Sequence, residues 1–209
     1  MNKESSYLLI VEDDLDILKL LDTTLSFSGY RVVTARNGKE GLDVVAKERP
    51  AIVIADIMMP KLDGFGLVHR LRINPDTRDI PVVFITATYV ALEDQEFAMD
   101  IGATRFIQKP VDLDELLVTI KELSSQETPI ALEPLNEFNF YKGYRKRLEA
   151  KLDEKNKQIA RDELLLGLQP GQGDQFIHAS LRQARSEREE LRDLLDQVHV
   201  QLEKYTMED

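Results

Sequence analysis

The stretch Ala51-Ile52-Val53-Ile54-Ala55-Asp56 constrains this chain most: an unbroken apolar run that ends on a single aspartate, followed by Ile57-Met58-Met59-Pro60. A short run rich in Ile and Val, closed by a proline-bearing loop, reads as a strand buried on both faces. Such strands belong to the interior of a parallel sheet. Pro60 and Gly64 mark the loop that follows. Asp56 therefore stands where the strand leaves the sheet, on the edge where open parallel sheets bind ligands. A carboxylate at that place needs a partner, and the rest of the chain supplies candidates.

The pattern around it alternates. Tyr7 to Val11 is an apolar run ended by Glu12-Asp13-Asp14, and Asp14 is placed to cap a helix carrying Leu15, Leu18, Leu21 and Leu25. Gly29 stops that helix, Tyr30 to Thr34 is a second strand, and Asn37 opens a helix that Pro50 ends. Asp63 caps a third helix with Leu67, Val68 and Leu71, and Pro81 to Ile85 is the fourth strand, stopping at Thr86. A helix from about Tyr89 to Met99 is closed by Gly102. Thr104 to Ile107 forms the fifth strand, and Asp112 caps a helix with Leu113, Leu116, Leu117 and Ile120. Strands alternating with helices call for a parallel sheet covered on both faces. Right-handed crossovers over about 120 residues fit a flavodoxin-like α/β fold, with five parallel strands in the order 2-1-3-4-5 and five helices.

Residues 124–137 read as a linker, opening Ser-Ser-Gln-Glu-Thr-Pro, and residues 138–209 change character to long, charge-rich helix. One helix is expected from about Asn139 to Leu166, a turn at Gln169 to Asp174, and a second helix from about Gln175 to Tyr205. Ile177, Leu181, Ala184, Arg188, Leu191, Leu195, Val198, Leu202 and Tyr205 alternate steps of four and three, a heptad seam. On the first helix Tyr141, Leu148, Leu152, Ile159 and Leu166 fit a seam that Arg145, Lys155 and Asp162 interrupt. From Lys142 to Arg161 there are eight basic and three acidic residues; from Asp174 to Lys204, five basic and seven acidic. Opposite charges would flank the seam of an antiparallel helical hairpin, or coiled coil, and a short turn favours that arrangement.

Composition excludes several chemistries. Without cysteine there is no disulfide, zinc-thiolate site or thiol nucleophile. No apolar run approaches the ~18 residues of a transmembrane helix. The polar Met1 to Ser6 lacks a signal-peptide core, so a cytoplasmic location is expected. The net charge of −11 opposes general nucleic-acid binding, which depends on cations meeting phosphates. Residues 1–123 carry 14 Lys and Arg against 21 Asp and Glu; residues 124–209 carry 13 against 17.

Chemistry gathers at the carboxyl ends of the expected strands: Glu12 and Asp13 after the first, Asp56 after the third, Thr86 after the fourth and Lys109 after the fifth. The first and third strands are neighbours in the expected order, which brings three carboxylates together. Their repulsion is tolerable if a hard divalent cation neutralises them, and Mg²⁺ is the usual partner of a few carboxylates with waters and a phosphate. A lysine and a hydroxyl on the same edge suit a phosphoryl oxygen. Each residue also has a plain structural reading. Glu12 and Asp13 could cap a helix, Asp56 could serve a turn, and Lys109-Pro110 could be an ordinary loop. The joint pattern favours the site.

These pieces resemble the receiver domain of two-component response regulators over residues 7–123. The matching residues are Ile10-Val11-Glu12-Asp13-Asp14, Asp56 with Met58-Met59-Pro60 and Asp63-Gly64, Thr86-Ala87, and Phe106 followed by Lys109-Pro110. The resemblance implies that Asp56 accepts a phosphoryl group from a sensor histidine kinase or phosphotransfer protein. It implies that Asp13, Asp56 and the Met58 carbonyl bind Mg²⁺, with Glu12 acting on the ion through water. Lys109 would pair with the phosphoryl oxygens, Thr86 would carry its hydroxyl to them, and Phe106 would be the aromatic switch. Phe106 stands where the family often has Tyr, so a hydrogen-bonded version of the switch is unavailable to it. Met58 and Thr88 would influence access of water. The resemblance implies no enzymatic activity beyond the protein's own phosphoryl transfer and dephosphorylation.

The output is expected to be protein interaction through residues 138–209, with an unidentified downstream protein or as a homodimer along the Leu191–Leu202 seam. Two alternatives belong to other classes. His178 could make the hairpin a phosphorelay intermediate, but Phe176-Ile177-His178-Ala179-Ser180 lacks the acidic neighbour and following Arg-Thr-Pro of kinase helices. His178 also lies one step off the seam, and His69 and His199 read as structural or exposed. The basic run Lys142 to Arg147 could make a nucleic-acid-binding coiled coil or a membrane patch. The acids that follow it favour a solvated helix face.

Overall fold

A computed structural model describes residues 6–86, 92–125, 136–168 and 174–206. The chain divides into two compact units, residues 1–135 and 136–209. In the first, strands β1 (Tyr7–Val11), β2 (Arg31–Ala35), β3 (Ile52–Asp56), β4 (Val82–Thr86) and β5 (Arg105–Gln108) form one sheet. Its order is β2-β1-β3-β4-β5, and every pairing is parallel. Helices α1 (Leu15–Phe27), α2 (Gly38–Val45), α3 (Gly64–Ile73), α4 (Leu92–Asp100) and α5 (Leu113–Ser125) alternate with the strands. This is the flavodoxin-like arrangement the alternation implies. The expected residues Ala87 to Tyr89, most of the linker and the turn at 169–173 lie outside the described residues.

Local chemistry sets the helix starts. The Asp14 carboxylate accepts from the Asp16 and Ile17 amides at 2.9 and 3.1 Å, and Asn37 accepts from Glu40 at 3.0 Å. Asp63 accepts from Gly66 at 2.9 Å, and Asp112 from Asp114 and Glu115 at 2.9 and 3.2 Å. Each cap satisfies amides that the first turn leaves without a partner. Gly29 ends α1 at φ 88°, a left-handed conformation that costs a residue with a Cβ about 1–2 kcal/mol.

The central strands β1, β3 and β4 are buried throughout, as two covered faces require. Leu8, Ile10, Ile52, Ile54, Val83, Ile85 and Ile107 pack with Leu21 and Leu25 of α1 and Leu116, Ile120 and Leu123 of α5. On the other face the Phe65 ring of α3 meets Phe84 edge-on at 5.8 Å and Phe97 of α4 at 5.2 Å. The edge strands β2 and β5 are only partly covered. They lie one residue C-terminal to the apolar runs that announce them, as the central β4 does, because ladder pairing rather than hydrophobicity fixes a strand's bounds.

The second unit is two long helices, α6 (Glu137–Leu168) and α7 (Asp174–Thr206), packed along each other. Arg185 bonds Glu163 at 2.7 Å, Lys155 pairs with Glu187, and the Tyr205 hydroxyl reaches Glu137. Partners that rise in number on one helix and fall on the other define an antiparallel hairpin. Leu181, Ala184, Leu191, Leu195, Val198 and Leu202 are all buried, as their spacing implies. Two expectations are corrected. Asp162 does not interrupt the α6 seam but is buried in it, because its carboxylate accepts from the Ser180 hydroxyl at 2.8 Å. The Leu191–Leu202 seam is already buried within one chain, so a second copy cannot use it while the hairpin stays closed. No helix among the described residues is long and apolar enough to cross a membrane.

Candidate functional site

The carboxyl edge of the sheet brings β1, β3 and the end of β5 to one place. Glu12 and Asp13 follow β1 directly, Asp56 is the last residue of β3, and β1 pairs with β3. Carboxylate oxygens of Glu12, Asp13 and Asp56 lie within 4.8 Å of one another. Lys109 Nζ sits between two of them, 2.9 Å from Glu12 Oε2 and 3.0 Å from Asp56 Oδ1. The other Asp56 oxygen accepts from the Met58 amide at 2.7 Å. Glu12 and Asp56 are 2% and 5% exposed, so the Coulomb interactions between them act with little solvent screening.

Burial drives the acids upward. It raises the Asp56 carboxyl above its ordinary value; the Lys109 charge and hydrogen bond and the Met58 amide oppose this, and the Asp13 charge adds to it. Burial likewise raises Glu12, against the Lys109 hydrogen bond and with the Asp56 charge. Asp13 is raised for the same first reason. Burial pulls Lys109 down, but the Asp56 charge and the bonds to Glu12 and Asp56 outweigh it, so its ammonium is held more tightly than usual. Among the described residues, then, Lys109 pairs with two of three crowded carboxylates. A hard, oxygen-only donor set with surplus negative charge fits a small divalent cation such as Mg²⁺.

Thr86 ends β4, one residue beyond Ile85, which pairs with Asp56. It is 1% exposed, and among the described residues its hydroxyl has no hydrogen-bond partner. A buried hydroxyl without a partner is a cost the fold must offset elsewhere. Phe106 is opposite Phe84 in the β4–β5 ladder and Gln108 is opposite Thr86. Strand side chains alternate, so Thr86 and Phe106 share one face of the sheet. Phe106 is half-buried. Met58 lies at the site with its side chain exposed. His178, the alternative phosphate carrier, is exposed on α7.

Backbone groups account for what the sequence left unmarked. The Met58 N–H binding Asp56 and the Gly64 N–H donating to Ile57 O at 2.9 Å carry no residue-type signal. Gly64, marked in the sequence as a loop residue, has a steric reason here, since a Cβ there would fall 2.4 Å from the Asp56 carbonyl oxygen and 2.7 Å from the Phe84 ring. Arg72, 2% exposed on α3, was also unmarked; it donates to the Gly102 carbonyl at 3.0 and 2.6 Å. Burial lowers its pKa to about 10 despite the charge of Asp79.

The response regulator receiver domain family matches residues 8–121. "Response regulator MprA" of Mycolicibacterium vanbaalenii is 38% identical over 122 residues, covering 58% of this chain and 52% of that protein. "Probable transcriptional regulator ycf27" of Cyanidium caldarium is 35% identical over 169 residues, covering 80% of this chain and 65% of that one. The chain spans about half the length of most curated relatives it matches, for example 49% of the Porphyra purpurea ycf27 protein. The high-resolution structure of the chemotaxis response regulator CheY4 of Vibrio cholerae superposes with a TM-score of 0.53 at 30% identity, covering 56% of this chain and 98% of that one. The crystal structure of a "putative response regulator" from Chloroflexus aurantiacus gives a TM-score of 0.54 at 28% identity, covering 58% of this chain and 100% of that one. With the sheet order, the acidic cluster and the family match in agreement, the chain belongs to the response regulators of two-component systems through its receiver domain.

Proposed function

We propose that this protein is a phosphorylation-switched signal transducer in which Asp56 is the phosphoacceptor. The observation that carries the reading is the grouping of the Glu12, Asp13 and Asp56 oxygens within 4.8 Å of one another around the Lys109 ammonium. An Asp56 oxygen would attack the phosphorus of a phosphohistidine on a sensor kinase or phosphotransfer protein. The new O–P bond forms as the P–N bond breaks, and the imidazole leaves and takes a proton from solvent. Asp13, Asp56 and the Met58 carbonyl would hold Mg²⁺, with Glu12 acting through water. The ion supplies charge neutralisation for the phosphoryl oxygens when bound. Lys109 already touches Asp56 and can follow the phosphoryl oxygens by a small movement. Thr86 supplies a buried hydroxyl, unpartnered among the described residues, that gains a partner when the phosphoryl group arrives. That gain is a differential interaction, and it favours one arrangement of the Thr86 and Phe106 face over another. The protein performs no chemistry beyond its own phosphoryl transfer and dephosphorylation.

In this reading the hairpin is the output, meeting a downstream protein or a second copy. Leu164, Leu165 and Phe176 are exposed on turns flanking the α6–α7 connection and offer apolar surface for such a contact. Incubation with a small phosphoryl donor and Mg²⁺, read by intact mass, tests the acceptor. One phosphoryl group per chain is expected in the wild type and none in Asp56→Asn. Equal incorporation in both would overturn the assignment.

A further inference from the structure

The loop between β3 and α3 carries Met58, and its far end is gripped by a helix the proposed reaction does not use. The Gly38 N–H of α2 donates to Leu62 O at 2.8 Å. A Cβ at residue 38 would fall 2.7 Å from that oxygen, 3.0 Å from Leu62 Cγ and 3.2 Å from Asp63 O. Glu40 completes the grip: it lies 3.6 Å from Lys61 Nζ, accepts from the Arg36 amide at 3.0 Å and from Asn37 Nδ2 at 2.7 Å. Asn37 accepts in return from the Glu40 amide at 3.0 Å, so the carboxylate is fixed by a reciprocal cap. Between the grip and the site the loop has little freedom. Leu62 donates to Pro60 O at 2.8 Å, Gly64 donates to Ile57 O at 2.9 Å and Met58 donates to Asp56 at 2.7 Å. Lys61 is held at φ 65°, a left-handed conformation that a lysine adopts only when its surroundings impose it.

We propose that the N-terminus of α2 is a clamp that sets the position of the Met58 loop, making Gly38 and Glu40 positioning residues for the Asp56 site. The path runs from the Gly38 amide to Leu62, through the strained Lys61 and Pro60, to the Met58 backbone against Asp56. The metal arm of this inference rests on the reading of the acidic cluster as an Mg²⁺ site; the loop arm does not.

Gly41 provides a matched control, because a Cβ there meets the Val11 side chain at 3.2 Å and does not touch the loop. The experiment records amide spectra of the full-length ¹⁵N-labelled protein without metal and then Mg²⁺ binding by calorimetry, for wild type, Gly38→Ala, Glu40→Gln and Gly41→Ala. Gly38→Ala is expected to move the Met58 and Asp56 amides and weaken Mg²⁺ binding about tenfold, the usual effect of losing an outer support. Glu40→Gln leaves the bond from the residue-40 amide to Asn37 but has a single acceptor oxygen for the Arg36 and Asn37 donors and weakens the Lys61 pair; it is expected to move the same amides less, with about a two- to threefold loss as for an exposed ion pair. Gly41→Ala presses on Val11 and not on the Met58 loop, and is expected to move the Met58 amide less than Gly38→Ala does. If Gly38→Ala does not fold, Glu40→Gln carries the test. Unmoved Met58 and Asp56 amides in the clamp variants, or equal movement in Gly41→Ala, would overturn the proposal. No Mg²⁺ binding by the wild type would overturn the metal reading instead, while the metal-free spectra still decide the clamp.

Discussion

At the scale of single residues, the site is a place where the fold tolerates unfavourable electrostatics. Burial raises Asp56, Glu12 and Asp13 together. The metal-free folded state therefore keeps protons that the unfolded chain has released, once pH passes the ordinary carboxylate range near about 4. Stability must fall as pH rises from there through the raised values, since it falls wherever the folded state binds more protons. Denaturant unfolding across that window should show the decline, and Asp56→Asn should flatten it. At neutral pH without metal, the same variant is expected to melt about 2–4 °C higher, the shift that roughly 1 kcal/mol gives in a chain of this size. A lower melting temperature would mean that the Lys109 pairing outweighs the burial of the charge. Gly64 predicts the opposite sign. A Cβ 2.4 Å from the Asp56 carbonyl cannot be accommodated by a flexible side chain, so Gly64→Ala should cost more than about 3 kcal/mol or prevent folding.

At the scale of elements, helices and strands divide the labour. Parallel strands end together, so residues from β1, β3 and β4 reach one edge without any loop having to be long. The hairpin is held differently. Its seam is built from Leu, Val and Ala, and Leu195 is 6% exposed. Leu195→Ala should cost about 2–5 kcal/mol and unfold the hairpin at lower denaturant than the receiver, giving two transitions by circular dichroism. Asp162→Ala removes the charged acceptor of the half-buried Ser180 hydroxyl, a loss of about 1–3 kcal/mol. Asp162→Asn keeps an acceptor and should cost less.

At the scale of the whole molecule, ligand linkage joins these properties. If Mg²⁺ binds only the folded state, saturation at a hundred times its dissociation constant adds about 2.7 kcal/mol. The melting temperature should rise with Mg²⁺, and less so at low pH, because the ligand carboxylates must first lose their protons. Light scattering with and without a phosphoryl analogue tests the output. A change of mass, or exchange of chains between closed hairpins, is expected if a second copy is the partner. A strict monomer in both states would leave a different protein as the occupant. The acidic balance predicts that any complex with duplex DNA is weak; a tight complex that loosens steeply with salt would reverse that reading.

Sequence periodicity was enough for the sheet order, because a parallel α/β chain has few ways to keep right-handed crossovers and bury its Ile-Val strands. The helix caps at Asp14, Asn37, Asp63 and Asp112 were legible because capping is local, as was the seam from Ile177 to Tyr205. The acid cluster was legible because strand ends carry their residues to one edge. Tertiary structure decided what depends on partners distant in the chain. Lys109 bridges Glu12 across 97 positions, and Gly38 grips Leu62 through a backbone amide that every residue but proline possesses. It also turned Asp162 from an apparent break into a buried member of the seam, since the facing Ser180 hydroxyl donates to that carboxylate and Arg161 lies 3.9 Å from it. Local free energies can be read along a chain; the cost of burying a charge or an amide is set by whatever the fold puts opposite it.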